Sequence, residues 1–261
     1  MAIHPTAIVD DGAVIGKDVV VGPFCVVGPN VRIGDGCRLK SHVVLSGRTD
    51  LGANCEVFSH VVLGEPPQHV AHNGEETRLV IGTHNIIREY VSMHCGTAAG
   101  GGVTQIGNNG FFMVGANIAH DCLIGDNAIL ANNATVGGHV TVGDHSFLGG
   151  VCAVHQYCRI GDFAFIAGGA IVVQDVIPYA SAMGNHAKLS SLNIVGMKRR
   201  GMERALIHQM RNAYQILFNG EGMFADRVEL VRRDFSDVAE VQSIVAFIDE
   251  KARRGLMMAE Q

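Results

Sequence analysis

Four histidines share one register. His94, His120, His139 and His155 each follow an aliphatic residue by one to three positions, and those aliphatics are Met93, Ile118, Val136 and Val154. The last three are 18 residues apart, and Met93 joins them once a seven-residue excursion before Ile118 is set aside. On a chain that turns once per 18 residues, the four imidazoles line one corner. Rungs ~4.8 Å apart make that line roughly 15 Å long, enough for a nucleotide-sized or extended ligand. Asp121 directly follows His120. A carboxylate beside an imidazole fixes its tautomer and stabilises its protonated form, which suits a general base near neutral pH. Gly137-Gly138 precede His139 and leave backbone N–H groups bare for a developing oxyanion. Metal binding is the other chemistry open to histidines. Zinc needs three ligands within ~2.0–2.1 Å of one ion, and residues on separate rungs of one corner are expected to lie too far apart for that within a subunit. Corner positions are exposed in any solenoid, and the chain has 13 histidines. One alone would mean little; four in line beside a Gly-rich segment carry the functional reading. A second cluster, Lys198-Arg199-Arg200 with Lys188 and Arg204, is basic. It suits a phosphate clamp, a dock for an acidic partner, or a solvated helix end.

The scaffold that aligns these residues is written in a period of six. Ile3, Val9, Ile15, Val21, Val27, Ile33, Leu39, Leu45, Leu51, Val57 and Leu63 form one unbroken series, and Ile106 to Val172 form another. Two positions earlier the residue is usually small or β-branched, as at Ala7, Cys25, Cys37, Ala116, Ala128 and Cys152. Side chains two apart on a strand share a face, so both point inward. Glycine often follows the aliphatic, as at Gly16, Gly34, Gly52 and Gly125, and is expected to take a positive φ at a tight corner. Short strands and corners repeating every six residues make a three-faced parallel β-helix. The period breaks where His69 and Glu75 would have to point inward, so loops are expected near 65–77 and, at the Gly-rich Thr97-Ala98-Ala99-Gly100-Gly101-Gly102, near 95–105. Leu206, Met210, Ala213, Tyr214 and Leu217 then recur at helical spacing, with further helical segments at 228–231 and 238–248. Two domains are expected: a β-helix over 1–187 and a C-terminal α-helical domain over 188–261, small enough to be marginal alone.

Composition narrows the class. A net charge of −5 argues against general nucleic-acid binding. Residues 1–5 lack the basic start and apolar stretch of a secretory signal, and no run of 18 apolar residues exists, so a cytoplasmic protein without membrane insertion is expected. Six of the seven cysteines occupy the small inward position and read as reduced packing residues; Cys95 alone is out of register.

Together, the hexapeptide series, the two loops and a set of local motifs resemble the UDP-N-acetylglucosamine O-acyltransferases of lipid A synthesis. The motifs are Ile118-Ala119-His120-Asp121-Cys122, Ala131-Asn132-Asn133, Gly138-His139-Val140, Ala153-Val154-His155-Gln156, Gly184-Asn185-His186-Ala187 and Lys198-Arg199-Arg200-Gly201. The resemblance implies an all-β left-handed parallel β-helix, against the usual crossover hand, a homotrimer, and active sites in clefts between subunits. It implies transfer of an (R)-3-hydroxyacyl chain from acyl carrier protein to the 3-position of a UDP-linked glucosamine sugar, with no metal or other cofactor. His120 would be the base, Asp121 its orienting partner, and the Gly138 N–H the oxyanion donor. Gln68, His94, His139, His155, Gln156, Asn193, Arg199 and Arg200 would contact the nucleotide sugar or the donor. Gly168 would set the acyl length at about 12 to 14 carbons, with ~0.8 kcal/mol per buried CH₂ discriminating between lengths, and His186 would cap the tail.

Three positions depart from the family pattern. A Gln-Asp-Leu-Lys run reads Gln68-His69-Val70-Ala71, a second histidine is Asn117, and an acidic ribose contact is Val195. A lost lysine removes repulsion from a protonated amine, so a 3-amino sugar becomes a plausible acceptor. The alternatives are a trimeric zinc carbonic anhydrase on the same scaffold, a non-catalytic solenoid, and a sister N-acyltransferase. The first wants a histidine pair separated by four residues, whereas His139 and His145 are separated by five.

Overall fold

The computed structural model describes residues 2–259. Met1, Glu260 and Gln261, the outermost residues of the two expected domains, lie outside the described residues. The six-residue period becomes a stack of two-residue strands in three parallel sheets. The first sheet runs from Ala2–Ile3 to Phe165–Ile166, the second from Ile8–Val9 to Ile171–Val172, and the third from Val14–Ile15 to Arg159–Ile160. Each strand pairs with the one a full coil away, as Asn117↔Thr135 and Ile118↔Val136 do. Met93, Ile118, Val136 and Val154 are in register on the second sheet. The period aliphatics and the small residues before them are buried together, as with Val19 and Val21 or Cys25 and Val27. All seven cysteines are buried and free.

The corner glycines act by a different mechanism from the one expected. Gly52 does not have a positive φ; a Cβ there would sit 2.5 Å from the Gly82 carbonyl of the next coil. Close approach of stacked coils requires the glycine. The left-handed residue falls two positions later, and is usually Asn, Asp, His or an aromatic: Asn54, Asn109, Asp121, His139 and Tyr157 have φ of 58°, 56°, 60°, 60° and 68°. Asn and Asp tolerate that region best.

Both loops leave from the corner between the second and third sheets. The first lies between strands Val62–Glu65 and Arg78–Ile81, the second between Ser92–His94 and Val103–Ile106. Past the last coil, strands Ala180–Met183 and Lys188–Leu192 form an antiparallel hairpin that extends the first sheet. Four helices follow: α1 Ile194–Arg199, α2 Arg204–Asn219, α3 Phe224–Asp234 and α4 Ala239–Asp249. Their buried faces include Met210, Leu217, Val231 and Ile244. Arg159 ties α4 to the solenoid, bonding Asp175 Oδ2 at 2.8 Å, Glu250 Oε2 at 2.6 Å and the Phe247 carbonyl at 3.2 Å. Among the described residues no helix is long and apolar enough to cross a membrane.

Candidate active site

The corner between the second and third sheets gathers most of the chemistry-bearing residues. Asp121 takes the left-handed corner conformation, which turns its carboxylate back toward His120 instead of to the opposite strand face. His120 Nδ1 lies 2.8 Å from Asp121 Oδ2. A carboxylate only accepts, so Nδ1 carries the hydrogen and Nε2 keeps a lone pair. Asp121 is held in turn by the second loop. Thr97 donates its N–H to Oδ1 at 2.8 Å and its hydroxyl to Oδ2 at 2.7 Å, while the Asp121 N–H donates to Thr104 Oγ1 at 2.8 Å. The Asp121 side chain is 1% exposed. The expelled glycine loop thus returns to orient the carboxylate that orients the imidazole.

Gly138 lies against the His120 ring: a Cβ would sit 2.5 Å from His120 Cε1 and 2.8 Å from Nε2. At the corner between the third and first sheets, the equivalent N–H groups of Asp126 and Asp144 donate to aspartates one coil on, at 2.7 and 2.8 Å. The Gly138 N–H has no acceptor among the described residues, and it belongs to the residue whose Cβ position faces the His120 ring. His139 stacks on Tyr157 with ring centroids 4.4 Å apart, and its Nε2 is 3.5 Å from Asp121 Oδ2. Burial lowers the His139 pKa; Asp121 opposes that shift, while His120 and Arg253 reinforce it. Gln68 reaches back from the first loop and donates to His94 Nε2 at 3.3 Å, and His94 Nδ1 faces the Ile118 carbonyl at 3.3 Å. His155 and Gln156 lie one coil beyond His139 and meet the C-terminal arm, where Arg254 bonds His155 Nδ1 and the Gln156 carbonyl at 2.8 and 3.0 Å.

The remaining expected residues lie elsewhere in the subunit. Asn193, Arg199 and Arg200 flank a cavity of about 690 Å³, with His145, Phe147 and Phe165 in its wall. Asn193 caps α1, accepting from the Gly196 N–H at 2.9 Å and donating to the Phe163 carbonyl at 3.0 Å. Arg200 donates to the His145 carbonyl at 3.2 Å, lies over the Phe163 ring, and has its pKa lowered by burial. Gly168 is exposed at the corner between the first and second sheets, where a Cβ would meet only the Gly150 backbone, its carbonyl at 3.3 Å. His186 is exposed in the hairpin turn.

Four contacts are absent from the sequence reading, which gives His69 only as a break in the period and a departure from the family pattern. Thr97 and Thr104 bond Asp121; Tyr157, 18 residues after His139, could have been found by extending the same register. His69, from the first loop, meets the His120 ring edge-on at 5.3 Å. The expectation that one corner cannot gather metal ligands needs correction. His120, Asp121 and His139 offer ligand atoms within 4.8 Å of one another, because the left-handed turns at 121 and 139 fold side chains from two coils together. Both Asp121 oxygens already accept hydrogen bonds from Thr97 and His120, a donor set that suits an imidazole partner better than a metal ligand.

Comparison with known proteins decides the family. The family described as "Udp N-acetylglucosamine O-acyltransferase; Domain 2" matches residues 175–257, and bacterial transferase hexapeptide repeats match 12–47 and 104–138. A Caulobacter vibrioides protein named acyl-[acyl-carrier-protein]–UDP-N-acetylglucosamine O-acyltransferase is 54% identical over 261 residues, covering 100% of this chain and 99% of its own. The chain belongs to the UDP-N-acetylglucosamine O-acyltransferase family. An Azorhizobium caulinodans member of this acyltransferase family is 53% identical over 97% of the chain and 94% of its own. A solved acyltransferase structure from Acinetobacter baumannii superposes with a TM-score of 0.95 at 40% identity, covering 98% of this chain and 100% of its own. The Campylobacter jejuni acyltransferase gives 0.93 at 35% identity, covering 99% and 100%. The fold is that of the acyltransferase family, a left-handed parallel β-helix followed by helices.

Proposed function

We propose that the protein transfers an (R)-3-hydroxyacyl chain from acyl carrier protein to the 3-position of UDP-N-acetylglucosamine or its 3-amino analogue, the first step of lipid A synthesis. The observation that carries the mechanism is His120, bonded through Nδ1 to Asp121 at 2.8 Å, with its other nitrogen over Gly138. Nε2 takes the proton of the attacking group as its oxygen or nitrogen bonds to the thioester carbonyl carbon. The carbonyl electrons move onto oxygen, where the Gly138 N–H receives the charge. Collapse breaks the C–S bond, and the imidazolium returns its proton to the departing thiolate. Asp121 stabilises the imidazolium while it exists. No metal or redox cofactor enters these steps.

Homotrimer formation supplies what one chain separates. The His120 group lies at the corner between the second and third sheets, the Arg199–Arg200 cavity over the outer side of the first sheet, and Gly168 at the corner between the first and second sheets. Packing copies side by side sets one subunit's catalytic corner against a neighbour's cavity. The basic groups Lys198, Arg199 and Arg200 then offer phosphate contacts and a face for an acidic carrier protein. Gly168 leaves space for a tail of about 12 to 14 carbons. His69 stands where the family carries an acid and Ala71 where it carries a lysine, which supports the amine as acceptor.

One competition assay tests the reading. The enzyme receives (R)-3-hydroxytetradecanoyl carrier protein with equal amounts of the 3-hydroxy and 3-amino nucleotide sugars, and products are separated by mass. An ester or amide that disappears with His120→Ala supports the acyltransferase and names the acceptor. Absence of any product refutes it.

A further inference from the structure

The ten described residues after α4, 250–259, do not run out into solvent. They run back along the last coil of the solenoid and reach the catalytic corner. Their backbone is tied down at three points: Asp175 N–H to the Gly255 carbonyl at 3.0 Å, Met257 N–H to the Asp175 carbonyl at 2.8 Å, and Leu189 N–H to the Met258 carbonyl at 3.1 Å. Met257 is fully buried. Asp175, between two of these bonds, is the same buried carboxylate that holds Arg159. The arm is therefore part of the packed structure, and the arginines it carries arrive in set positions.

Arg254 closes on one histidine like a fork. Its Nη2 is 2.8 Å from His155 Nδ1 and its Nε is 3.0 Å from the Gln156 carbonyl oxygen. A guanidinium has five donors and no acceptor, and it keeps its charge at any working pH. Nδ1 of His155 must then be an acceptor. That settles an ambiguity, because Nδ1 also lies 3.2 Å from the same Gln156 oxygen and could otherwise donate to it. With Arg254 present, the Gln156 oxygen already has a donor and Nδ1 faces a positive charge. Without Arg254, the local hydrogen-bonding preference reverses: Nδ1–H to the Gln156 carbonyl becomes the better tautomer. Arg253, the preceding residue, lies 4.5 Å above the Tyr157 ring, which itself stacks on His139. Both arginines thus meet the histidine line.

We propose that Arg254 is a positioning residue that holds His155 in the tautomer with hydrogen on Nε2, presenting a neutral N–H donor to an acceptor oxygen of the bound substrate. The consequence for catalysis rests on the reading that His155 contacts substrate; the tautomer itself does not. A second histidine of the corner is thereby assigned the state opposite in purpose to His120, whose Nε2 is kept as a lone pair for proton abstraction. The helical domain supplies the residue that enforces the difference.

The test is ring-nitrogen NMR on the full-length enzyme with ¹⁵N-labelled histidine, at a pH where His155 is neutral, with the His155 signals identified by their loss in His155→Gln. The expected pattern is an unprotonated Nδ1 and a protonated Nε2. Arg254→Ala should shift His155 toward Nδ1–H and raise the KM for substrate by about tenfold, the weight of one hydrogen bond, with kcat changed much less. Arg254→Lys, which restores a cationic donor, should return the native nitrogen pattern and recover most of the KM. A protonated Nδ1 in the native enzyme overturns the proposal, and so does an unchanged pattern in Arg254→Ala. If Arg254→Ala loses the arm altogether, the lysine variant decides: Nδ1–H there overturns the assignment. An enzyme without acyltransferase activity would defeat the functional reading while leaving the nitrogen pattern to judge this one.

Discussion

Gly138→Ala isolates the contact on which the proposed chemistry depends. The φ of Gly138 is not positive, so alanine brings no backbone penalty there. Its methyl, however, would arrive 2.5 Å from His120 Cε1 and 2.8 Å from Nε2. Ordinary contact needs roughly 3.4–4 Å, so ring and methyl must separate by about 1 Å. The imidazole has little room to comply. Nδ1 is bonded to Asp121 at 2.8 Å, and the rings of His69 and His139 stand 5.3 and 5.2 Å away. If the ring swings out, the His120–Asp121 bond lengthens and about 1.5–3 kcal/mol of charge-assisted hydrogen bonding is weakened. If the backbone yields instead, the Gly138 N–H leaves the position from which it would meet the oxyanion. A displacement of 1 Å at a reacting centre costs on the order of 10²-fold in rate. The expected result is a kcat lower by about 10²- to 10³-fold, with a melting temperature within a few degrees of the native value, since no buried group is lost. Steady-state kinetics with acyl carrier protein thioester, paired with a thermal melt, measures both. A variant that keeps more than a tenth of native kcat would refute the reasoning about this contact.

Other substitutions probe the supports. Thr97→Val removes a 2.7 Å bond to Asp121 Oδ2 and the cap on the Gly100 N–H; it should cost about 1–3 kcal/mol of stability and lower kcat about tenfold, read by denaturant titration and turnover. Gly52→Ala, with its methyl 2.5 Å from the neighbouring Gly82 carbonyl, should destabilise by about 1–3 kcal/mol through overpacking, and a neutral result in denaturant would remove the close-approach account of the corner glycines. Burial lowers the His139 pKa from 6.5, so the unfolded chain binds its proton at higher pH than the folded one. The His139 contribution is present above pH 6.5 and is lost as pH falls through the lowered folded value. His139→Gln should therefore flatten the fall in melting temperature on the acid side of pH 6.5, and a slope equal to the native one would reject the assignment.

The parts of this molecule with a period, the six-residue solenoid and the amphipathic helices, are legible in its sequence. Val19 and Val21 face inward because residues two apart on a strand share a face, and their burial follows from spacing alone. The same count put Met93, Ile118, Val136 and Val154 in register, and with them the histidines. The helices at 204–219, 224–234 and 239–249 were legible from apolar spacing. What escaped has no period. Thr97 reaches Asp121 across 24 residues and Arg254 reaches His155 across 99, and neither separation is a multiple of the coil. The corner glycines are visible in the sequence but their constraint is not, because a sequence shows that a side chain is missing and not whether a torsion or a neighbour forbids it. Arg199 and Arg200 join His120 only through the family likeness, which implies a cleft between subunits; within one chain they flank a cavity over the first sheet.

The two ends of the stack are unlike, and that gives the molecule a direction. At the C-terminal end the hairpin, the helices and the returning arm cover the last coil. At the other end the inward series opens with Ile3 at 39% exposed and with Val9 and Ile15 only partly buried, where the same position in later coils is buried, and among the described residues the strands that carry them pair on one side only. Each coil contacts only its neighbours, so local opening travels along the stack like a zipper. Unravelling should begin at the N-terminal rung and advance toward the histidines, so amide exchange should slow from one end to the other. The catalytic corner sits several coils in from the fraying edge, on the side closed by the helical domain.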